Sequence, residues 1–319
     1  MTPIAAPPHV FSLDAERLAY GRFRVKAGTY AFETYNSVDL PGEAFLPGLL
    51  GGPLRDEAGF GELLKGLISR VEVPIAEASL VLPDAWLRLA FTEVGELPAD
   101  PQDLDAVLRW KLKRLVPFRV DELRLRGTEV SPLANQEEPN RALLGFALET
   151  LLAQQERLFQ EAGIRLGRIA NLSLSLLASL STEVVDRPLL GLVVVEPAGY
   201  TLLFSRRGEP ILHRFKSADP ELPYELRQQR AIHDLRLTRS FLAERFPGTT
   251  LDLNLLVKSP AVEDPWQEWV ENGLESRTEA LSEAHLPALS VQISKQEADS
   301  AESFLEIAPM LGASRQEVA

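Results

Sequence analysis

In the first part of the chain, the spacing of hydrophobic residues is first that of β-strands and then that of an α-helix. Three segments rich in β-branched and aromatic residues, 10–14, 18–25 and 29–38, predict a meander of three strands. Apolar residues then recur at helical spacing over 60–71, and the apolar segment 78–82 predicts a short buried strand. The first stretch of the chain therefore predicts the element order βββαβ.

The same order recurs in the second half of the chain. Another meander of three strands, a long helix and a further strand are predicted at 189–195, 200–206, 210–215, 222–246 and 251–257. Arg207 and Gly208 are expected to form a tight turn. The two stretches share negligible sequence identity, so only the architecture repeats. Two βββαβα halves are the signature of the actin-like, ribonuclease-H-like fold, and we expect a bilobed α/β protein of this class.

Between the two halves, a mixed set of elements predicts a small inserted α+β subdomain in the first lobe. Its helices are expected at 101–115 and 151–162, among strands at 86–92, 123–130, 142–148 and 164–169. Asp100 and Pro101 are typical of a helix start, Thr150 is expected to cap the second helix, and Gly163 is expected to end it. The predicted limits are 1–83 for the N-terminal part of the first lobe, 84–170 for the inserted subdomain, 171–187 for a connecting helix of the first lobe, 188–300 for the second lobe, and 301–319 for a C-terminal helix and polar tail.

Two predictions concern packing in the second lobe. On the long helix, the apolar residues expected to face the core are Leu226, Ile232, Leu235 and Leu242. Trp266 and Trp269 lie three residues apart on a predicted helix, 266–273, and we expect both to be buried.

Charge and composition narrow the possible partners. The 319 residues carry a formal net charge of −13, which argues against nucleic acid as a partner because phosphate binding needs clustered Lys and Arg. The absence of cysteine excludes disulfides and thiolate metal sites. The N-terminus lacks the basic and apolar regions of a signal peptide, and no apolar run approaches the roughly 20 residues of a spanning helix. We therefore expect a cytoplasmic chain that reaches a membrane only through another protein.

The side chains that carry chemistry in other proteins show no catalytic pattern here. The histidines, His9, His213, His233 and His285, lack metal-ligand spacing. Ser173 lies in an apolar helix without the glycines of a nucleophile elbow, so packing is expected for it. No phosphate-binding loop with lysine is present in the sequence. We expect no catalytic residue and no metal site.

Several segments resemble one known family. Leu108-Arg109-Trp110, Val116-Pro117-Phe118 and Val120-Asp121-Glu122 are similar to the helix and the following "IPF…DEV" segment of the PilM family, the actin-like cytoplasmic component of type IV pilus machines. Glu161-Ala162-Gly163-Ile164 and Arg207-Gly208-Glu209-Pro210 resemble two further segments of that family. The resemblance extends over nearly the whole chain.

The resemblance also implies that the nucleotide site of the family has degenerated. An actin-like ATPase presents two Asp-x-Gly turns, whose glycines let backbone N–H groups approach the phosphates. Asp14 matches the first acid, but Glu16 stands at the glycine; in the second turn the alignment places Val194 at the acid and Glu196 at the glycine. A glycine pair that admits adenosine is replaced by residues 257–260. We therefore expect a pseudo-ATPase without a cofactor. Binding of ATP and magnesium would mean that this interpretation of the two turns is wrong. Asp14 itself is more typical of a turn residue than of a metal ligand.

For partners, the resemblance implies a noncatalytic scaffold at the cytoplasmic face of the inner membrane. PilM proteins bind the N-terminal tail of the membrane protein PilN in a groove beside the inserted subdomain, and pilus assembly ATPases are further expected partners. The residues expected to contact the tail are Trp110, Lys113, Pro117 and Phe118. The basic residues around them form either a solvated helix face or a docking surface for a partner or for anionic lipid. The alternatives are a GspL-like component of type II secretion and an actin-like ATPase with weak nucleotide binding.

Overall fold

The computed structural model describes residues 6–26, 29–48, 50–95, 97–117, 119–131, 139–219, 221–287, 289–291 and 301–315. The chain forms two compact units. Unit 1 comprises residues 1–87, 147–181 and 282–319, and unit 2 comprises residues 88–146 and 182–281. The domain limits predicted from the sequence stay a prediction.

The secondary structure alternates between strands and helices. The strands are β1 (His9–Leu13), β2 (Arg17–Lys26), β3 (Thr29–Asp39), β4 (Glu77–Leu82), β5 (Arg88–Glu93), β6 (Leu123–Val130), β7 (Arg141–Leu148), β8 (Arg165–Asn171), β9 (Leu190–Glu196), β10 (Gly199–Arg206), β11 (Glu209–Ser217), β12 (Leu253–Lys258), β13 (Thr278–Ala280) and β14 (Leu289–Val291). The helices are α1 (Glu57–Ile68), α2 (Pro101–Leu112), α3 (Glu149–Glu161), α4 (Leu172–Ser179), α5 (Thr182–Val185), α6 (Tyr224–Arg245), α7 (Trp266–Leu274) and α8 (Ala301–Ser314).

The two main sheets repeat one topology. Unit 1 holds a sheet of order β14-β3-β2-β1-β4-β8. In this sheet β1, β2 and β3 form an antiparallel meander, and β4 runs parallel to β1. Unit 2 holds a sheet of order β11-β10-β9-β12-β13 with the same meander and the same parallel pairing of β12 with β9. The predicted duplication of architecture is confirmed. Unit 2 also contains a three-stranded sheet, of order β5-β7-β6.

Local capping chemistry explains where several helices start and stop. The Asp100 carboxylate accepts hydrogen bonds from the backbone N–H groups of Gln102 and Asp103, and Pro101 occupies the first turn of α2, as predicted. Gly163 follows α3 with a φ of +82°, so its predicted left-handed conformation is confirmed. The prediction for Thr150 is wrong, because β7 runs directly into α3 and the helix begins at Glu149 without a side-chain cap.

The core of unit 2 lies between its sheet and the helices α6 and α7. Leu235 and Leu242 on α6 are buried, and the predicted burial of Trp266 and Trp269 is confirmed. Leu226, however, is 42% exposed, so its predicted packing is wrong. Nine residues separate Leu226 from Leu235, and at roughly 100° per residue this places the two on opposite sides of the helix.

Candidate functional site

The C-terminal end of α2 carries an exposed aromatic and basic surface. Leu108 and Leu112 are buried beneath α2, and Trp110, two residues from each, therefore faces the other way and is 56% exposed. Leu115, 48% exposed, follows in the turn after the helix, and Lys113 and Pro117 are exposed as well. We call one set of residues here the α2 surface: Trp110, Lys111, Lys113, Arg114, Leu115 and Pro117. Phe118, the fourth residue predicted to contact a partner, lies outside the described residues.

The α2 surface is positively charged although the chain as a whole is acidic. Residues 106–120 include five basic residues and no acidic one. The Lys111 Nζ and the Arg114 Cζ lie 5.5 Å and 5.4 Å from the centre of the Trp110 ring, within the range of cation–π attraction. Within the described residues, Lys111, Lys113 and Arg114 make no ion pair with a carboxylate. These three charges are therefore available to a binding partner.

Arg109, in contrast, has a structural role next to that surface. Its guanidinium pairs with Asp105 at 2.6 Å and donates to the carbonyl oxygens of Val120 at 2.5 Å and Leu123 at 3.0 Å. These bonds tie the end of α2 to the start of β6. Since Arg109 fixes the backbone on both sides of residues 110–117, it holds the α2 surface in place.

The hairpin between β1 and β2 contains the first predicted degenerate positions. The Asp14 Oδ1 accepts the backbone N–H groups of Glu16 at 2.7 Å and of Arg17 at 2.8 Å, so Asp14 has the turn role that was predicted for it. These two amide donors of the turn thus already have an acceptor within the chain. Glu16 is exposed and places a carboxylate at the tip of the turn. Burial raises the pKa of the Asp14 carboxyl group above its usual range.

Further carboxylates surround the base of this hairpin. Arg17 pairs with Asp39 at 3.0 Å and with Glu306 on α8 at 2.9 Å, and the Tyr35 hydroxyl also donates to Glu306. Burial, more than any other cause, raises the pKa of Glu306. One arginine is thus shared by two carboxylates, and Asp14 lies close enough to Glu306 to affect its titration. An added phosphate would meet a cluster of negative groups here.

The hairpin between β9 and β10 corrects the alignment made from sequence. Val194 lies inside β9, pairs with Thr201 and is 2% exposed, so the expectation that it occupies the turn is wrong. β9 is buried on both faces, so its apolar run has no alternation that would mark the register, and it continues to Val195. The turn lies two residues later. Glu196 ends the strand at the acid position, and Ala198 stands at the glycine position, after Pro197, which has no backbone N–H.

The segment after β12 is tied back to β9. The backbone N–H of Ser259 donates to the carbonyl of Val195 at 2.8 Å, and the Lys258 ammonium donates to the carbonyl of Val262 at 2.5 Å. Residues 257–260 contain no glycine. In the part of the chain that the structure describes, no group of three or more His, Cys, Asp or Glu side chains is placed to hold a metal ion.

A buried polar network in unit 1 was missed by sequence reasoning. The Asp84 Oδ1 accepts hydrogen bonds from the Asn171 side-chain amide at 2.5 Å and from the N–H and hydroxyl groups of Ser173 at 3.1 and 3.0 Å. Asp84 is fully buried, and Ser173 packs as predicted. The network joins the loop after β4 to the start of α4. Its one signal in the sequence is an acid two residues after the end of a buried apolar strand.

Comparison with known proteins supports one class of fold. No protein-family model matches the sequence, and no curated protein sequence matches it. The chain has the actin-like fold, as its duplicated topology predicts. A solved chain of a PilM-PilN type IV pilus biogenesis complex superposes with a TM-score of 0.73 at 15% identity, over 98% of this chain and 97% of that one. The predicted resemblance to PilM is therefore confirmed at the level of the fold.

Two other solved structures are similar only at a greater distance. The cytoplasmic domain of EpsL, an inner membrane component of the type II secretion system of Vibrio cholerae, gives a TM-score of 0.47 at 12% identity over 93% of this chain and 94% of that one. A Bacteroides thetaiotaomicron protein with an actin-like ATPase fold gives 0.48 at 8% identity over 86% and 91%. These likenesses are too remote to bear on function. No described helix has the length and apolar composition needed to cross a membrane.

Proposed function

We propose that this chain is a noncatalytic scaffold of a type IV pilus or related secretion machine, and that it binds the N-terminal segment of a PilN-like membrane protein. The observation that carries the proposal is the end-to-end similarity, with a TM-score of 0.73, to a chain of a complex that contains PilM and PilN. Such a scaffold works at the cytoplasmic face of the inner membrane, which it reaches through its partner. Pilus assembly ATPases are further partners in this proposal.

The α2 surface supports a role in binding a peptide segment. Tryptophan and arginine side chains contribute most of the energy in many interfaces, because the indole buries a large area with few flexible bonds and the guanidinium offers several hydrogen-bond donors in a fixed plane. Trp110, Leu115 and Pro117 offer apolar contact, and Lys113 is free to pair with a carboxylate or a carbonyl oxygen. An extended segment with alternating apolar side chains would lie across such a surface. Trp110, Lys113, Pro117 and Phe118 are the proposed contact residues.

The two hairpins support the absence of ATP hydrolysis. In the first hairpin, the Asp14 carboxylate occupies the N–H groups of Glu16 and Arg17, which a phosphate would need. In the second hairpin, Pro197 has no N–H, and Glu196 adds a negative charge. Fewer backbone donors are therefore left for phosphates in these two turns than in two Asp-x-Gly turns. We infer a pseudo-ATPase that needs neither ATP nor magnesium.

The proposal is tested by isothermal titration of the full chain with a synthetic N-terminal segment of the PilN-like protein encoded beside its gene. We expect saturable binding with one segment per chain, and no heat from a scrambled segment of the same composition. Equal heats from both segments, or none from either, would remove the proposed partner.

A further inference from the structure

Unit 2 contains a cavity of about 680 Å³ outside the ends of two parallel strands. It is bounded by the end of β9, the start of β10, the first turns of α6 and α7, and residues 261–265. Ligands of open α/β sheets bind outside the carboxyl ends of the strands, and β9 and β12 run parallel toward this point. The volume is in the range of pockets that hold small molecules or single side chains.

Four aromatic rings form a continuous series along this cavity. The ring centres of Tyr200 and Trp266 are 4.7 Å apart, those of Trp266 and Trp269 5.1 Å, and those of Trp269 and Tyr224 5.7 Å. Tyr224 is 40% exposed, whereas the two tryptophans are buried. Aromatic faces attract cations, because the π-system carries negative charge above and below the ring.

Two of the three basic residues that line the cavity are neutralised within it. Arg227 forms a two-pronged ion pair with Asp264, at 2.9 and 2.7 Å. Lys216 pairs with Asp234 at 3.2 Å, and the Tyr200 hydroxyl donates to the same carboxylate at 2.7 Å. Burial raises the pKa of Tyr200, so the hydroxyl keeps the proton that it donates. These two pairs hold the walls of the cavity in place, and in each of them one positive charge cancels one negative charge.

The remaining charged residues give the cavity an excess of negative charge. Among the other lining residues, Glu196, Asp219 and Glu263 are acidic and Arg230 is basic, so the lining as a whole has a formal excess of two acidic residues. Asp219 and Glu263 are exposed at the edge, where an incoming group meets them first. The indole N–H of Trp269 is buried and has no acceptor among the described residues.

We infer that this cavity binds the cationic side chain of a basic peptide segment, with arginine as the preferred residue. A guanidinium stacks on aromatic rings and pairs with carboxylates at the same time. A phosphate-bearing ligand would instead meet the surplus of carboxylates. The inference involves none of the residues of the α2 surface and shares with the proposed function only Glu196 and Pro197 of the second hairpin.

Nuclear magnetic resonance of the tryptophan side chains tests this inference on the full chain. The chain has four tryptophans, so its indole N–H spectrum can be assigned with single Trp→Phe variants. The probe is N-acetyl-arginine methylamide, and the matched control is N-acetyl-citrulline methylamide, which has nearly the same shape and no charge. We expect the arginine probe to shift the Trp266 and Trp269 signals and to leave those of Trp86 and Trp110 in place.

Three outcomes of this experiment would contradict the inference. Equal shifts from both probes would show that charge is not recognised, and no shift from the arginine probe would show that the cavity does not bind it. Displacement of the arginine probe by ADP would assign the cavity to a nucleotide instead. Each of these results overturns the inference.

A pair of exposed glutamates provides matched variants. Glu263→Gln removes a carboxylate that lines the cavity, and we expect the arginine probe to bind about two- to fivefold more weakly, as is typical of a screened charge pair. Glu268→Gln removes an exposed carboxylate from α7 that does not line the cavity, and affinity should not change. Equal effects of the two variants would contradict a local role for Glu263.

Discussion

Truncation of Trp110 to alanine should weaken binding of the partner segment far more than it weakens the fold. A tryptophan side chain presents on the order of 250 Å² when fully exposed. Because 56% of Trp110 is exposed, a partner that covers the ring would bury about 140 Å². At about 25 cal/mol per Å² this area contributes about 3.5 kcal/mol as an upper estimate. We expect a loss of about 2–3 kcal/mol, or roughly 30- to 150-fold in the dissociation constant.

The assay is calorimetric titration of the Trp110→Ala variant with the partner segment. Trp110→Phe keeps an aromatic ring and should lose only part of the affinity. Leu237→Ala truncates another exposed apolar residue of unit 2, 50% exposed on α6, and should bind like the parent chain. Urea unfolding of each variant separates binding from stability. Affinity of Trp110→Ala within twofold of the parent would remove Trp110 from the interface, even if the segment itself binds.

Three further variants test the structural interpretation. Asp84→Ala removes one acceptor from the Asn171 amide and from both donors of Ser173, while the Asn171 amide keeps the carbonyl of Leu87 and the Ser173 hydroxyl keeps the Asn171 side-chain oxygen; urea unfolding should therefore show a loss of about 1–2 kcal/mol, and an unchanged midpoint would contradict the network. Asp14→Asn keeps the turn acceptor without the charge. Burial raises the pKa of Asp14, so the folded chain binds the proton of this carboxyl group more tightly than the unfolded chain does. The parent chain therefore loses stability as the pH rises from the ordinary pKa of an aspartate through the raised pKa of Asp14. The variant should therefore be the more stable at neutral pH, with a smaller advantage in acid; an equal pH profile for both would refute this. Gly199→Ala places a Cβ 2.2 Å from the carbonyl oxygen of Lys216, so its melting temperature should fall, and an unchanged one would show that the hairpin can relax.

Much of the fold was predictable because its signals are local. The two meanders, α2 with its Asp100 cap, and the turn at Gly163 depend on residues within a few positions of one another. The same holds for the exposure of Trp110, which follows from its angular position relative to Leu108 and Leu112. The architecture could therefore be predicted from the spacing of hydrophobic residues and from the residues that cap the helices.

The features that sequence did not predict depend on distant residues or on strands without alternation. The register of the β9 hairpin was misplaced by two residues, because a strand buried on both faces gives no period-2 signal. Asp84 meets Asn171 from 87 positions away, and no local pattern indicates that pairing. The cavity of unit 2 is likewise assembled from residues between 195 and 269.

Thermal unfolding of the full chain, measured in parallel with the partner segment and with ATP and magnesium, separates a scaffold from an ATPase most directly. A ligand at 100 times its dissociation constant adds about 2.7 kcal/mol to the stability of the folded state. We predict that the segment raises the melting temperature and that ATP with magnesium leaves it unchanged. A rise with ATP and magnesium, and none with the segment, would contradict the proposal.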